Sequence, residues 1–277
     1  MSERKAFIEA RLSACLPPPG ARPERLTDAM RYAVMPGGKR LRAILCLAAA
    51  EAAGGRAEDA AHAACAVELL HAYTLVHDDL PCMDDDVLRR GLPTVHVKYG
   101  EAVAVLAGDA LLTLAFEVLV RTHEARPGMI ARLVSELAVA AGAAGVIGGQ
   151  VEDIASAAAP TRAAIDYVFQ HKTADLFRAA VRLGAIAVQA SDETLENLSL
   201  FANGLGLAFQ VTDDILDASE SKSGEKPELS CLDVMSEAEA RAWARQLTCA
   251  ARAAIADLPG DASPLATIAD RLLSRVE

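Results

Sequence analysis

LAVAAGAAGVIGG, residues 137–149, has no polar side when it is wound at 3.6 residues per turn. A helix of that kind is expected deep in a helical domain, covered by other helices. Outward from it, apolar residues recur at helical spacing through long segments separated by short Gly, Pro or Asp punctuation. The pattern predicts helices over 3–15, 22–34, 38–53, 57–80, 99–122, 127–149, 161–184, 192–217, 236–256 and 263–275. No stretch alternates apolar and polar residues between hairpin turns, and no internal repeat or low-complexity linker interrupts the chain. Alanine makes up about a fifth of the 277 residues and aromatics only 4%. That composition favours helix, because alanine loses no side-chain entropy there. The expectation is an all-α, single-domain helical bundle spanning residues 1–277.

Charge narrows the function. There are 27 basic and 38 acidic side chains, a net charge of −11. Such a chain repels nucleic acid and anionic membrane surfaces, so no nucleic-acid partner is expected. An anionic ligand would need local basic residues or bound cations. The longest uncharged stretch, Asn197 to Thr212, is 16 residues and contains Asn, Gly and Gln. It is shorter and more polar than a bilayer span, so no transmembrane segment is expected. The opening MSERKAFIEARLSACLPPPG has mixed charge and no apolar core, which argues against a secretory leader. Cys15, Cys46, Cys65, Cys82, Cys231 and Cys249 form no CxxC pair, so reduced thiols in a cytoplasmic protein are expected.

Two aspartate clusters carry the chemistry. HAYTLVHDDLPCMDDDVLRRG (71–91) places Asp78, Asp79, Asp84, Asp85 and Asp86 after an apolar helix and follows them with Arg89 and Arg90. On an unbroken helix Asp78 and Asp84 stand about 240° apart. Pro81 disfavours helix at Leu80, so the helix must distort or end there, and the carboxylates can converge at its mouth. In GLAFQVTDDILD (206–217), Asp213 and Asp217 share one helix face, with Asp214 rotated by about 100°. Like charges at that spacing destabilise a bare helix and call for a counter-ion. Carboxylate oxygens suit Mg²⁺ or Mn²⁺, and no EF-hand loop is present. Mg²⁺ binds through a few carboxylates plus substrate phosphates, so the pattern points to a diphosphate.

Basic residues complete an anion site. GGKRLR (37–42) sets a glycine pair and three cations at a helix N-terminus, where amides and dipole attract phosphate. Lys172 and Thr173 lie in FQHKTADLF (169–177), an otherwise apolar helix, where a lysine that only snorkels to solvent is the plainer alternative.

GGKRLR, HAYTLVHDDLPCMDDDVLRRG, GGQVEDI (148–154), HKTADLF and GLAFQVTDDILD together resemble the successive motifs of the trans-isoprenyl diphosphate synthases. The likeness runs from about residue 25 to 217 and is greatest to the bacterial farnesyl diphosphate synthases. The resemblance implies an isoprenoid-synthase bundle with a central cavity, acting as a homodimer on isopentenyl diphosphate and an allylic diphosphate. It implies three Mg²⁺ ions per site, with Asp78 and Asp84 as ligands of two and Asp213 of the third. Asp79, Asp214 and Asp217 would support them. Arg89, Lys172 and Lys39 would clamp the allylic diphosphate, while Lys39, Arg42, His71 and Arg90 match the isopentenyl diphosphate site. Gln150 and Gln210 match polar cavity positions, and Thr173 a position facing the allylic cation. His77 reads as a packing residue.

Tyr73 and Thr74 stand five and four residues before Asp78, roughly 6–7.5 Å down the axis. An ordinary core aromatic is the plainer reading of Tyr73. By the family resemblance, an aromatic there and the insertion of Pro81 and Cys82 both shorten the product, so farnesyl diphosphate is expected, then geranyl, then geranylgeranyl diphosphate. The sequence departs from the family in three places. The segment 218–236 lacks about ten residues and a Lys-x-Thr-Tyr element, with Lys222 or Lys226 as possible substitutes; Asp175 adds a carboxylate near the cavity; and Leu92 replaces a common lysine. These departures leave open a weakly active or non-catalytic paralogue that binds diphosphates or partners a catalytic subunit. A terpene cyclase would share the metal chemistry but not the isopentenyl site.

Overall fold

The computed structural model describes residues 2–121, 127–156, 159–220 and 229–276. Thirteen α-helices account for most of them: α1 (Ser2–Cys15), α2 (Glu24–Val34), α3 (Leu41–Ala52), α4 (Ala61–Asp78), α5 (Val95–Tyr99), α6 (Glu101–Arg121), α7 (Pro127–Ala141), α8 (Val146–Ser156), α9 (Arg162–Val168), α10 (Asp175–Ala187), α11 (Asp192–Glu220), α12 (Glu237–Ala254) and α13 (Ser263–Leu273). Local signals set their ends. Thr161 Oγ1 accepts the Ala164 N–H at 3.2 Å to start α9. Ser236 and Glu239 form a reciprocal capping box on α12. Along α13, Leu265, Ile268, Ala269 and Leu272 make one buried stripe at helical spacing.

By its contacts the chain divides into two compact units, Met1–Ile44 with Ala61–Val134, and Leu45–Ala60 with Ser135–Glu277. In the first, α4 packs along α6, and α1 and α2 lie against α4. Gly108 permits the α4–α6 approach, since a Cβ there would stand 2.1 Å from His77 Nε2. In the second, α11 is the hub on which α10, α12 and α13 pack. A buried cluster of Ile165, Phe169, Val211, Ile215, Cys231 and Val276 gathers around its C-terminal half, with Trp243 stacked on Phe169 at 6.3 Å.

Several expected helices differ in the structure, for identifiable reasons. The helix expected over 127–149 is two: the chain turns through Gly142–Gly145 and resumes as α8, which runs on to Ser156. Neither piece is covered on all sides, because Val139, Val151 and Ile154 are 55–63% exposed. The helix expected over 57–80 ends at Asp78, as Pro81 requires. The expected absence of strands is corrected by a two-stranded hairpin, β1 (Leu88–Arg89) with β2 (Leu92–Pro93). Arg90 and Gly91 turn it at φ 55° and 76°, the left-handed pair that a tight two-residue hairpin needs. Strands of two residues carry no alternation to read. The helix expected over 161–184 is interrupted by a π-helical turn, Phe169–Ala174.

Two stretches, Glu101–Arg121 and Pro127–Ser156, reach the length and hydropathy of a membrane span although charged residues interrupt both. α6 carries Asp109 and Glu117 within its length and buries its other face on α4, as a helix of a packed domain does.

Replacing Phe169 by Ala should cost about 3–5 kcal/mol, because the cluster loses its central ring and cannot fully collapse. Urea unfolding followed by the fluorescence of Trp243 reads this; an unchanged midpoint would contradict the packing described.

Candidate active site

The first acidic cluster is built by a broken helix. Past Asp78 the chain folds back, with Leu80 N–H donating to His77 O at 3.1 Å and Asp84 N–H to Asp78 O at 2.9 Å. That last bond joins the two aspartates which an unbroken helix would hold apart. Asp79 turns inward, 3% exposed, and accepts from Arg89 Nε at 2.6 Å; Arg89 Nη2 also donates to Asp86 at 3.1 Å. Burial pushes the Asp79 carboxyl above its ordinary range, and the Arg89 guanidinium works against that rise. Asp79 therefore holds Arg89 and the hairpin in place, while Asp78 and Asp84 are only partly buried.

The basic residues of the same unit gather beside it. Gly37 and Gly38 take φ of 71° and 90°, and the Arg90 guanidinium lies over Gly38, where a Cβ would stand 2.8 Å from Nη1. Arg40 turns inward: it donates to Val34 O at 2.6 Å and pairs with Glu68 at 3.5 Å, and Glu68 in turn accepts the Ala43 N–H at 3.2 Å. This buried pair fixes the loop from inside. Arg42 Nη1 meets His71 Nε2 at 3.2 Å. Burial, then the nearby Arg42, Arg90, Arg89 and Arg40, hold the His71 pKa well below 6.5, so its ring is neutral and can accept from Arg42. The structure thus brings Arg42, His71 and Arg90 together as expected, with Lys39 exposed on the same loop. The inward roles of Arg40 and Glu68 were missed. A lone glutamate in ACAVELLHAY was the available signal.

Along α4, Tyr73 is buried and sets its ring edge-on to His77 at 5.5 Å. Thr74 Oγ1 donates to His71 O at 2.8 Å, one turn before Asp78. His77 Nε2 donates to Val105 O at 3.1 Å, in a packing role.

In the second unit the π-helical turn presents Lys172 and Thr173. Such turns widen a helix and aim side chains that a regular helix would not. Two glycines hold it closely: a Cβ on Gly149 would stand 2.2 Å from Lys172 N, and one on Gly206 2.6 Å from Ala174 Cα. Lys172 pairs with Asp153 of GGQVEDI, a partner that no local pattern in the sequence marks. Thr173 Oγ1 donates to Gln210 Oε1 at 2.9 Å, and Gln210 Nε2 to Asp214 Oδ1 at 3.0 Å. Asp214 also accepts from Cys231 N at 2.7 Å and Ser230 Oγ at 3.1 Å. It is 7% exposed, and burial pushes its carboxyl up against those donors. Asp214 is thereby a tether for residues 230–231. Asp213, partly exposed, pairs with Arg275 at 2.8 Å, and Asp217 is exposed one turn further on. Gln150 is 9% exposed with no protein partner for its amide nitrogen.

Asp175 is 4% exposed and engaged by His171 at 2.8 Å, Gln170 at 3.1 Å and Arg178 at 3.2 Å, a structural network that accounts for the extra carboxylate. Residues 221–228 of the shortened segment, with Lys222 and Lys226, lie outside the described residues. Leu92 pairs with Arg89 in the hairpin, 42% exposed.

Among the described residues no three His, Cys, Asp or Glu side chains group tightly enough to cage an ion by themselves. The candidate donors are hard carboxylate oxygens, Asp78 and Asp84 in the first unit and Asp213 and Asp217 in the second. That fits Mg²⁺ held through one or two carboxylates, waters and substrate phosphate, and not an all-protein calcium or zinc cage.

Helices that end in aspartate clusters, with guanidinium groups and a glycine loop beside one of them, are the layout of a trans-prenyltransferase. The polyprenyl synthetase family model matches residues 23–233, and the chain belongs to that family. It is 40% identical to the dimethylallyltranstransferase of Fischerella ambigua over 99% of this chain and 82% of that protein. It is 48% identical to geranylgeranyl pyrophosphate synthase 7 of Arabidopsis thaliana over 72% of this chain, and spans 58% of the plant protein's length. The apo crystal structure of an FPP/GFPP synthase from Zymomonas mobilis superposes with a TM-score of 0.89 at 36% identity, covering 98% of each chain.

Because the fold keeps His71 neutral, the unfolded chain takes up a proton below pH 6.5 that the folded chain refuses. Stability due to this group should therefore fall on acidification below about pH 6.5. Urea titrations at several pH values should show a shallower acid loss in His71→Asn than in the parent; equal slopes would contradict the neutral assignment.

Proposed function

We propose that the chain condenses isopentenyl diphosphate with dimethylallyl or geranyl diphosphate, head to tail and in trans, giving mainly farnesyl diphosphate. The observation that carries the reading is the first unit's juxtaposition of the Asp78–Asp84 turn with Arg42, His71 and Arg90 beside the glycine loop. Carboxylates alone would repel a diphosphate, and guanidinium groups alone would bind one without activating it.

In this reading both acidic clusters serve the reaction. Asp78 and Asp84, and Asp213 with Asp217, would hold three Mg²⁺ ions, with Mn²⁺ as a substitute. When bound, the ions draw negative charge from the departing diphosphate so that the allylic C–O bond ionises. Lys39, Arg42, His71 and Arg90 would hold isopentenyl diphosphate. Arg89, held by Asp79 and Asp86, and Lys172, held by Asp153, would grip the allylic diphosphate. Thr173 and Gln210, already bonded to each other, would turn oxygen dipoles toward the cationic carbon. The isopentenyl double bond attacks that carbon, and the adduct loses a proton to a diphosphate oxygen. No protein nucleophile is required.

Tyr73, buried about 7.5 Å along α4 from Asp78, would floor the chain-length pocket together with Thr74. A geranylgeranyl product is the second reading, favoured by the names of relatives such as the Arabidopsis enzyme. The chain would act as a homodimer in the cytoplasm. Exposed Val105, Leu106 and Val120 on α6 support the first statement, and six free thiols the second. A monomer by light scattering would contradict the dimer.

Purified protein given Mg²⁺, labelled isopentenyl diphosphate and dimethylallyl or geranyl diphosphate should release an elongated diphosphate. A hydrocarbon product would mean a cyclase, and no turnover a non-catalytic paralogue. Asp78→Asn or Asp213→Asn should lower turnover at least roughly 100-fold with the circular dichroism spectrum unchanged. Near-normal kinetics would reject the assignment of that carboxylate. In the same assay Tyr73→Ala should yield longer products; an active variant with the parent's product would reject the floor.

A further inference from the structure

Asp175 follows the π-helical turn directly, and its carboxylate reaches back over the two residues that precede Lys172. Oδ2 accepts from His171 Nδ1 at 2.8 Å, and Oδ1 from Gln170 Nε2 at 3.1 Å. Arg178, one turn further along α10, pairs with Oδ1 at 3.2 Å. The same Gln170 amide donates to Asn203 Oδ1 of α11 at 2.8 Å. The backbone repeats the grip, because the Asp175 N–H donates to Gln170 O, the five-residue bond of a π turn. Asp175 is buried, so little water competes for these bonds.

This set of partners discriminates between helix types. An unbroken α-helix would put His171 within about 40° of Asp175 but Gln170 about 140° away, on the other side. A turn one residue wider brings both beneath the carboxylate. Asp175 can therefore hold Gln170 and His171 together only while 169–174 stays π-helical. Gly149 and Gly206 give the turn room, but room alone sets no register. Register decides where the next two side chains go. From the π turn Lys172 meets Asp153 and Thr173 meets Gln210. Winding the turn as α would rotate both by one residue's step relative to α10, about 100°.

We propose that Asp175 is a positioning residue: its carboxylate selects the π turn, and the turn aims Lys172 and Thr173, the pair read above as facing the allylic diphosphate and its cationic carbon. The proposal rests on that reading and adds to it a residue that acts only through the turn. The acidic departure from the family pattern in HKTADLF thereby serves the site from outside it.

Asp175→Ala and Asp175→Asn in the full chain test this, by crystal structure and by steady-state kinetics with Mg²⁺. Asparagine keeps one acceptor oxygen in place of two. In the alanine variant the Asp175-to-Gln170 backbone bond should give way to α-type bonding, and the Lys172–Asp153 and Thr173–Gln210 contacts should be lost. The KM for geranyl diphosphate should rise at least roughly tenfold, while that for isopentenyl diphosphate stays within about twofold. The asparagine variant should fall between the alanine variant and the parent. A loss of stability alone would lower the active fraction, and with it kcat, but leave both KM values in place. An alanine variant that keeps the π turn with both contacts, or that shifts neither KM or both equally, would overturn the proposal. Should the alanine chain fail to fold, the same readouts on the asparagine variant decide. If the parent itself turns over no substrate, the reaction reading falls, and the crystal structures alone decide whether Asp175 sets the turn.

Discussion

Carboxylates crowded at the end of a helix repel one another, and the fold depends on how that repulsion is met. The four buried carboxylates among the described residues each have a donor. Glu68 has Arg40 and the Ala43 N–H, and Asp79 has Arg89. Asp175 has His171 and Arg178, and Asp214 has Gln210, Ser230 and the Cys231 N–H. Leaving any one of them unpaired would cost several kcal/mol. The partly exposed Asp78, Asp84 and Asp213 and the exposed Asp217 instead place their oxygens at the surface of each unit. The acids thus divide into holders and candidates for metal, a division made by burial and not by residue type.

The same economy governs the cations. Arg40 and Arg42 are two residues apart in one motif, but the first is spent inside on Glu68 while the second stands beside a neutral His71. Arg89 grips Asp79 and Asp86 from one strand of the hairpin, and Arg90, at its turn, lies over Gly38. A side chain larger than hydrogen at Gly38 would push that guanidinium away. Sequence motifs separated by about fifty residues meet because a turn with positive φ and a residue without a Cβ allow it.

Much of this was legible in the sequence. Helical periodicity located nearly every helix, and Pro81 correctly marked where α4 must stop and why Asp78 and Asp84 come together. Periodicity could not see the break at Gly142–Gly145, because an alanine- and glycine-rich run stays apolar whether the chain turns or not. Nor could it see the π-helical turn at Lys172, which depends on the close approach of Gly149 and Gly206 from other helices. The two-residue strands of the hairpin are too short to leave a period. Partners such as Asp153 for Lys172 and Arg275 for Asp213 lie 19 and 62 residues away, and no local rule pairs them.

In the proposed reaction these exposed oxygens take divalent cations together with a diphosphate. Calorimetric titration of inorganic pyrophosphate into the protein, with and without Mg²⁺, tests it most directly. Binding should be saturable with the ion present and lose at least roughly tenfold in affinity without it. Equal affinity in both titrations would mean that the guanidinium groups bind the anion unaided, and the metal role would fall.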